Sequence, residues 1–117
     1  MTTLPSAMIA KASLVAQAIC ELDRIESSGT MPHWEDYPTL AQQELIAFVI
    51  AMFEGKTPEA HQESWVVDQL LAGWTFGEQY DDVAKTDPRL MHWVDYPETK
   101  RSQLTRAATL AKILQNI

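Results

Sequence analysis

The sequence predicts a mainly α-helical fold of about four helices, with a short β or turn segment between the third and the fourth. Three observations carry this expectation. Apolar side chains recur at three- and four-residue spacings in four separate stretches of the chain. Glycine or proline punctuates the gaps between them. Between Gly73 and Tyr96 the helical period disappears.

The first helix is expected from about Ser6 to Glu26, with Met8, Ala12, Val15, Ile19 and Leu22 making one apolar stripe. Ser27-Ser28-Gly29 ends it, the glycine taking a left-handed helix stop. The second helix opens at Pro38, whose fixed φ and missing N–H suit a first helical position. Leu40, Leu45, Ile46, Phe48, Val49, Met52 and Phe53 make it apolar on more than one side, so it is expected to be central. Gly55 stops it. Thr57 then reads as the N-cap of the third helix, with Pro58 at the first position and Glu59 favourable to the helix dipole. That helix carries Trp65, Val66, Leu70 and Leu71 and ends before Gly73. Trp74-Thr75-Phe76 is short enough for a small strand, and Gly77, Asp81-Asp82 and Asp87-Pro88 read as turns. Pro97 opens the last helix, striped by Leu104, Ala107, Leu110, Ala111 and Leu114.

At 117 residues the chain suits a single domain, 1–117, divided into a helical leader (1–56), a motif region (57–104) and a C-terminal helix (97–117). The longest apolar run, Leu45 to Phe53, lies between Glu44 and Glu54 and falls short of the ~20 residues a membrane span needs. Met1-Thr2-Thr3-Leu4-Pro5 lacks the basic, apolar pattern of a signal peptide. Cys20 is the only cysteine, so no disulfide forms within the chain, and it reads as a small packed residue. A cytoplasmic location is expected.

A net charge of −7 argues against nonspecific nucleic-acid binding, which needs Lys and Arg to neutralise phosphates. Residues 1–84 hold three basic against thirteen acidic side chains, a balance of −10. Residues 85–117 hold six against three, a balance of +3, from Lys85, Arg89, Lys100, Arg101, Arg106 and Lys112. A solvated helix face is the better reading of this basic third; a cationic patch for an anionic ligand or an acidic neighbour is the sharper one.

One hexapeptide echoes itself. His33-Trp34-Glu35-Asp36-Tyr37-Pro38 returns as His92-Trp93-Val94-Asp95-Tyr96-Pro97, each copy followed by a helix. A single pair of segments is no repeat array, but the shared pattern suggests two similar corners. The His–Asp pairs within it do not specify a zinc geometry, so surface hydrogen bonding is expected and no metal site. Catalytic signatures are missing too: the sequence holds no G-x-S-x-G elbow, no phosphate-binding glycine loop and no H-E-x-x-H. A non-enzymatic protein without a cofactor is expected.

Gln62-Glu63-Ser64-Trp65, then Gly73-Trp74-Thr75-Phe76-Gly77, then Asp81, Lys85, Pro88 and Leu90 carry a further signal. In order and spacing, over about residues 57–104, they resemble the ryanodine-receptor (RyR) repeat, with its H-E-x-W helix, G-W-x-Y-G turn, Asp, basic residue, H-P-x-L segment and closing Pro-started helix. Cys20, Asp23-Arg24 and Trp34-Glu35-Asp36-Tyr37-Pro38 look like the leader of small stand-alone phage members. The chain departs from the pattern at Gln62, Gln69, Phe76, Asp87 and His92-Trp93. The resemblance implies a recognition module with nucleotide-type ligands and no catalytic residues. In a phage setting it implies a sponge that sequesters a host immune signal. Ion conduction does not carry over, because no membrane segment is present in the sequence.

Four tryptophans make this short chain aromatic-rich. Trp65 reads first as core and Trp74 as a plug holding its loop, yet indoles separated by a gap also sandwich a flat base. The candidate ligand-binding set is Trp65, Trp74, Phe76, Tyr80 and Trp93 as aromatic walls, with Lys85, Arg89 and Arg101 meeting phosphate oxygens. The alternative is a protein-interaction or assembly module using the same surfaces. A homo-oligomer, a symmetric dimer before others, suits either reading.

Overall fold

The computed structural model describes residues 6–116; the opening Met1–Pro5, on which the absence of a signal peptide is expected, lies outside that range. It is mainly α: helices α1 (Ser6–Glu26), α2 (Thr39–Phe53), α3 (Pro58–Leu71) and α4 (Glu98–Leu114), with strands β1 (Thr75–Phe76) and β2 (Thr86–Asp87) between α3 and α4. None of these helices is long and apolar enough to cross a membrane. The described residues form two compact units, one of residues 6–56 with 106–116 and one of residues 57–105, so the boundary falls within α4.

In the first unit α1 packs on α2 through Ala12, Val15, Ala16, Ile19 and Cys20. The buried part of α2 is its second half, Phe48, Val49, Ala51 and Met52, while Leu40 near its start stays exposed. Ala107, Ala108 and Ala111 are the buried residues of α4. Small side chains at these positions let helix backbones approach closely. Arg106 pairs with Asp23 at 3.1 Å and also with Glu26, and Gln115 donates to the Phe53 carbonyl at 3.0 Å. The stop at Gly29 is as expected, with φ of +82°, and Ser28 before it is also left-handed at φ 57°.

Both hexapeptide copies fold alike. Trp34–Asp36 and Trp93–Asp95 are single 3₁₀ turns, each preceded by an extended histidine and followed by an extended tyrosine. The tyrosine must be extended because a proline follows it. In each copy the Asp N–H donates to the His carbonyl, at 3.0 and 2.9 Å, and the Tyr N–H to the Trp carbonyl, at 3.2 and 3.1 Å. The two corners expected from the echo are thus present, in a 3₁₀ form that the sequence pattern left unnamed.

One expectation needs adjustment. Pro38 is the N-cap of α2, with ψ of 148°, and Thr39 is the first helical residue. The ring fixes φ but not ψ, so proline serves the cap as readily as the first turn. On α3, Leu70 and Leu71 do not join a core: Leu71 is 83 % exposed, and the one buried residue of that helix is Gln62. The half-buried face of α3 runs through Gln62, Trp65, Val66 and Gln69 and meets the second corner. Its three- and four-residue spacing leaves Val67 and Leu71 on the other side.

Thr57 caps α3 as its sequence predicts, its hydroxyl accepting the Ala60 N–H at 3.1 Å. Thr57→Ala is expected to lower stability by about 1 kcal/mol, read as a lower midpoint in urea unfolding with an unchanged slope.

Candidate functional site

All eight candidate residues lie in the second unit. Its centre is Arg89. The Arg89 carbonyl accepts from the Gln62 side chain at 3.1 Å, from the Tyr96 hydroxyl at 2.8 Å and from the Met91 N–H at 2.9 Å. Its guanidinium grips Asp87, with Nη2 to Oδ2 at 2.7 Å and Nε to Oδ1 at 3.1 Å, and its backbone N–H donates to Oδ1 at 2.9 Å. The same guanidinium lies 4.9 Å from the centroid of the Trp65 ring, a cation–π contact.

Asp87 sits on β2 and its side chain is 4 % exposed. Burial alone pushes its pKa up. The Arg89 donors and positive charge outweigh that and hold the carboxyl below its ordinary value of 3.8. Tyr96, buried against the same group, is pushed above the ordinary tyrosine value, chiefly by desolvation.

A second cluster surrounds the turn after α3. Gly73 has φ of +92°, and the Trp74 N–H reaches back to the Gln69 carbonyl at 2.9 Å, closing the helix. Trp74 and Tyr80 then face each other with ring centroids 5.6 Å apart and planes 34° from parallel. The loop carrying Tyr80 is tightly specified. Asp81 Oδ1 accepts the Val83 and Ala84 N–H groups at 2.9 and 3.1 Å, and the Thr86 hydroxyl donates to the Gln79 carbonyl at 2.9 Å. Gly77 is required by space: a Cβ there would sit 2.6 Å from the Thr86 Cβ. β1 and β2 pair in parallel, Thr75 with Thr86 and Phe76 with Asp87. Asp87, expected in a turn, is therefore a strand residue, recruited by this pairing.

The candidates fall into groups. Trp65 joins Arg89, and Trp74 joins Tyr80. Trp93 lies against Tyr96 with centroids 6.2 Å apart. No ring contact links these three tryptophans to one another among the described residues. Lys85, left-handed at φ 58°, donates to the Ala72 carbonyl at 3.2 Å, and Arg101 donates to the Tyr96 carbonyl at 3.1 Å. Each cation thus holds a contact within the fold. Phe76 and Tyr80 are both about half exposed, and of these two Tyr80 is the one in ring contact with Trp74. Sequence reasoning missed three participants, Gln62, Asp87 and Tyr96. The Asp-Pro-Arg spacing was a signal for one of them, since an aspartate commonly accepts the backbone N–H two residues on.

Among the described residues no three His, Cys, Asp or Glu side chains are grouped so as to hold a metal. No family model matches the chain, and no curated protein does.

The Asp87–Arg89 pair makes a pH prediction. Because the folded-state pKa of Asp87 is depressed, its contribution to stability is complete above the unfolded value and is lost as pH falls through the folded one. Unfolding free energy measured at neutral pH and then below pH 3.8 should fall more steeply in the wild type than in Asp87→Asn. Parallel profiles would mean the pair is not formed.

Proposed function

We propose that this chain is a non-enzymatic recognition module, resembling the RyR repeat, whose second unit binds a small nucleotide-derived ligand through the Trp74–Tyr80–Phe76 face. One observation carries the reading: an aromatic pair on a rigid loop, with Tyr80 and Phe76 about half exposed. Aromatic faces on a fixed frame stack flat bases at small entropic cost. The residues behind the resemblance converge in support, because Gln62 and Trp65 meet Arg89 while Lys85 closes the α3 end beside Trp74. If the chain is phage-encoded, such a module acts as a sponge for a host signal.

The role of charge is narrower than composition suggests. Asp87 balances Arg89, so the guanidinium offers direction more than net charge. Stacking then supplies most of the affinity, and binding should depend only weakly on salt. A protein-interaction role is the second reading, favoured by Val67, Leu70 and Leu71 exposed on α3 and by Val83, which is 90 % exposed on the loop.

Calorimetry against ATP, ADP-ribose, cyclic ADP-ribose isomers and cyclic di- and trinucleotides tests the proposal. Binding to one of them should weaken by roughly 5- to 150-fold in Tyr80→Ala, the equivalent of about 1–3 kcal/mol of stacking. The same binding should persist in Leu71→Glu. Silence across the panel from a folded sample would shift the assignment to a protein partner, whose binding Leu71→Glu should remove.

A further inference from the structure

Helix α1 carries a second, partly exposed seam. Its buried face, Ala12, Val15, Ala16, Ile19 and Cys20, is turned toward the core. Roughly opposite, Ala7, Lys11, Leu14, Ala18, Glu21 and Ile25 follow one another at alternating four- and three-residue steps, the spacing of a helix-pairing seam. Leu14 is 67 % and Ile25 68 % exposed, although both are large aliphatic side chains.

The order of residues along this seam is self-complementary. When α1 is laid antiparallel on a copy of itself about a two-fold axis level with Ala16, Leu14 of one copy meets Ala18 of the other. Ile25 then meets Ala7, and Lys11 meets Glu21. Both large side chains of the seam face an alanine, and the one cation faces the one anion. An isologous contact requires this kind of self-matching. The alanines let the helix axes come close while the leucine and the isoleucine fill the space opened.

We propose that α1 is the contact surface of a symmetric homodimer, formed by antiparallel pairing of this seam with a second copy of the chain. The surface is independent of the ligand-binding reading, since every residue in it belongs to the first unit. Lys11 also donates to the Gln115 carbonyl and Glu21 lies 3.4 Å from His33. The cross-copy pair is therefore formed by side chains that already hold contacts within their own chain. A helix of 21 residues is about 31 Å long, which places the contact at the small end of specific interfaces and predicts a concentration-dependent dimer.

Analytical ultracentrifugation of the full chain, over roughly a hundredfold range of concentration reaching the submillimolar, reads the result directly. The wild type should shift from monomer toward dimer, and Leu14→Glu, at an exposed position, should weaken this at least about tenfold. Lys11→Glu alone and Glu21→Lys alone should each weaken self-association by placing like charges opposite each other. Mixed in equal amounts they should associate more tightly than either alone, because the heterodimer restores both opposite-charge pairs. That rescue separates the pairing from loss of the Gln115 or His33 contacts, which mixing does not repair. Circular dichroism confirms that each variant is folded. A wild type that stays monomeric throughout would overturn the proposal, as would a dimer indifferent to Leu14→Glu or a mixture no tighter than its components.

Discussion

The second unit depends on how the chain satisfies the short segment around Arg89. A buried carboxylate at Asp87 is costly unless it is paired, and removing its partner would strand a charge. The pairing partner is two residues away, so closing it adds almost no loop entropy. That local closure fixes the Arg89 backbone, and its carbonyl then becomes the point where α3, through Gln62, and the second corner, through Tyr96, are tied together. Trp65 packs its ring under the guanidinium that Asp87 has already oriented. Trp65 is therefore seated on a polar knot, and the Trp74–Tyr80 pair stands apart from it.

The two corners separate what a short motif dictates from what it leaves open. Their backbones match: His33 and His92 have φ of −66° and −64°, and the Trp–Tyr ring distances are 6.4 and 6.2 Å. Their anchoring differs. Burial first, and the neighbouring Cys20 second, push the Tyr37 pKa up to about 12, and the Cys20 thiol donates to the Pro32 carbonyl at 3.7 Å. Tyr96 instead bonds the Arg89 carbonyl. Gln42 and Arg101 occupy equivalent positions after the two corners, and each reaches back to a carbonyl of its own corner, of Trp34 and Tyr96 respectively. The hexapeptide is thus a device for turning the chain into a helix. The residue waiting for its tyrosine decides whether the corner stays apolar or joins a polar cluster.

Much of this was legible in the sequence because it rests on local physics. The apolar spacing of α1, the Thr57-Pro58 start of α3 and the glycine stops are encoded within a few residues of where they act. The Asp87–Arg89–Gln62 cluster was not, since pairing Gln62 with the Arg89 carbonyl joins residues 27 apart and hydropathy carries no trace of a satisfied amide. Leu70 and Leu71 stay exposed for the converse reason: hydrophobicity gives a side chain's preference, whereas the direction of the corner packed on α3 decides which face is covered. The aromatic candidates lie in separate ring contacts. A tryptophan's partner depends on tertiary direction, and here Trp65, Trp74 and Trp93 each found a different one.

Charge shows the same limit from the other side. The basic final third reads in composition as a patch of +3 facing an acidic remainder. In the fold, Arg106 neutralises Asp23 and Glu26, Arg89 neutralises Asp87, and Lys85 and Arg101 cap backbone carbonyls. A cation that caps a carbonyl keeps its charge but loses freedom of position, and one paired with a carboxylate keeps its donors but loses most of its field. The paired arginines therefore add little long-range field, whereas Lys85 and Arg101 keep their charge at a fixed place, so the +3 read from composition overstates what Arg89 and Arg106 contribute.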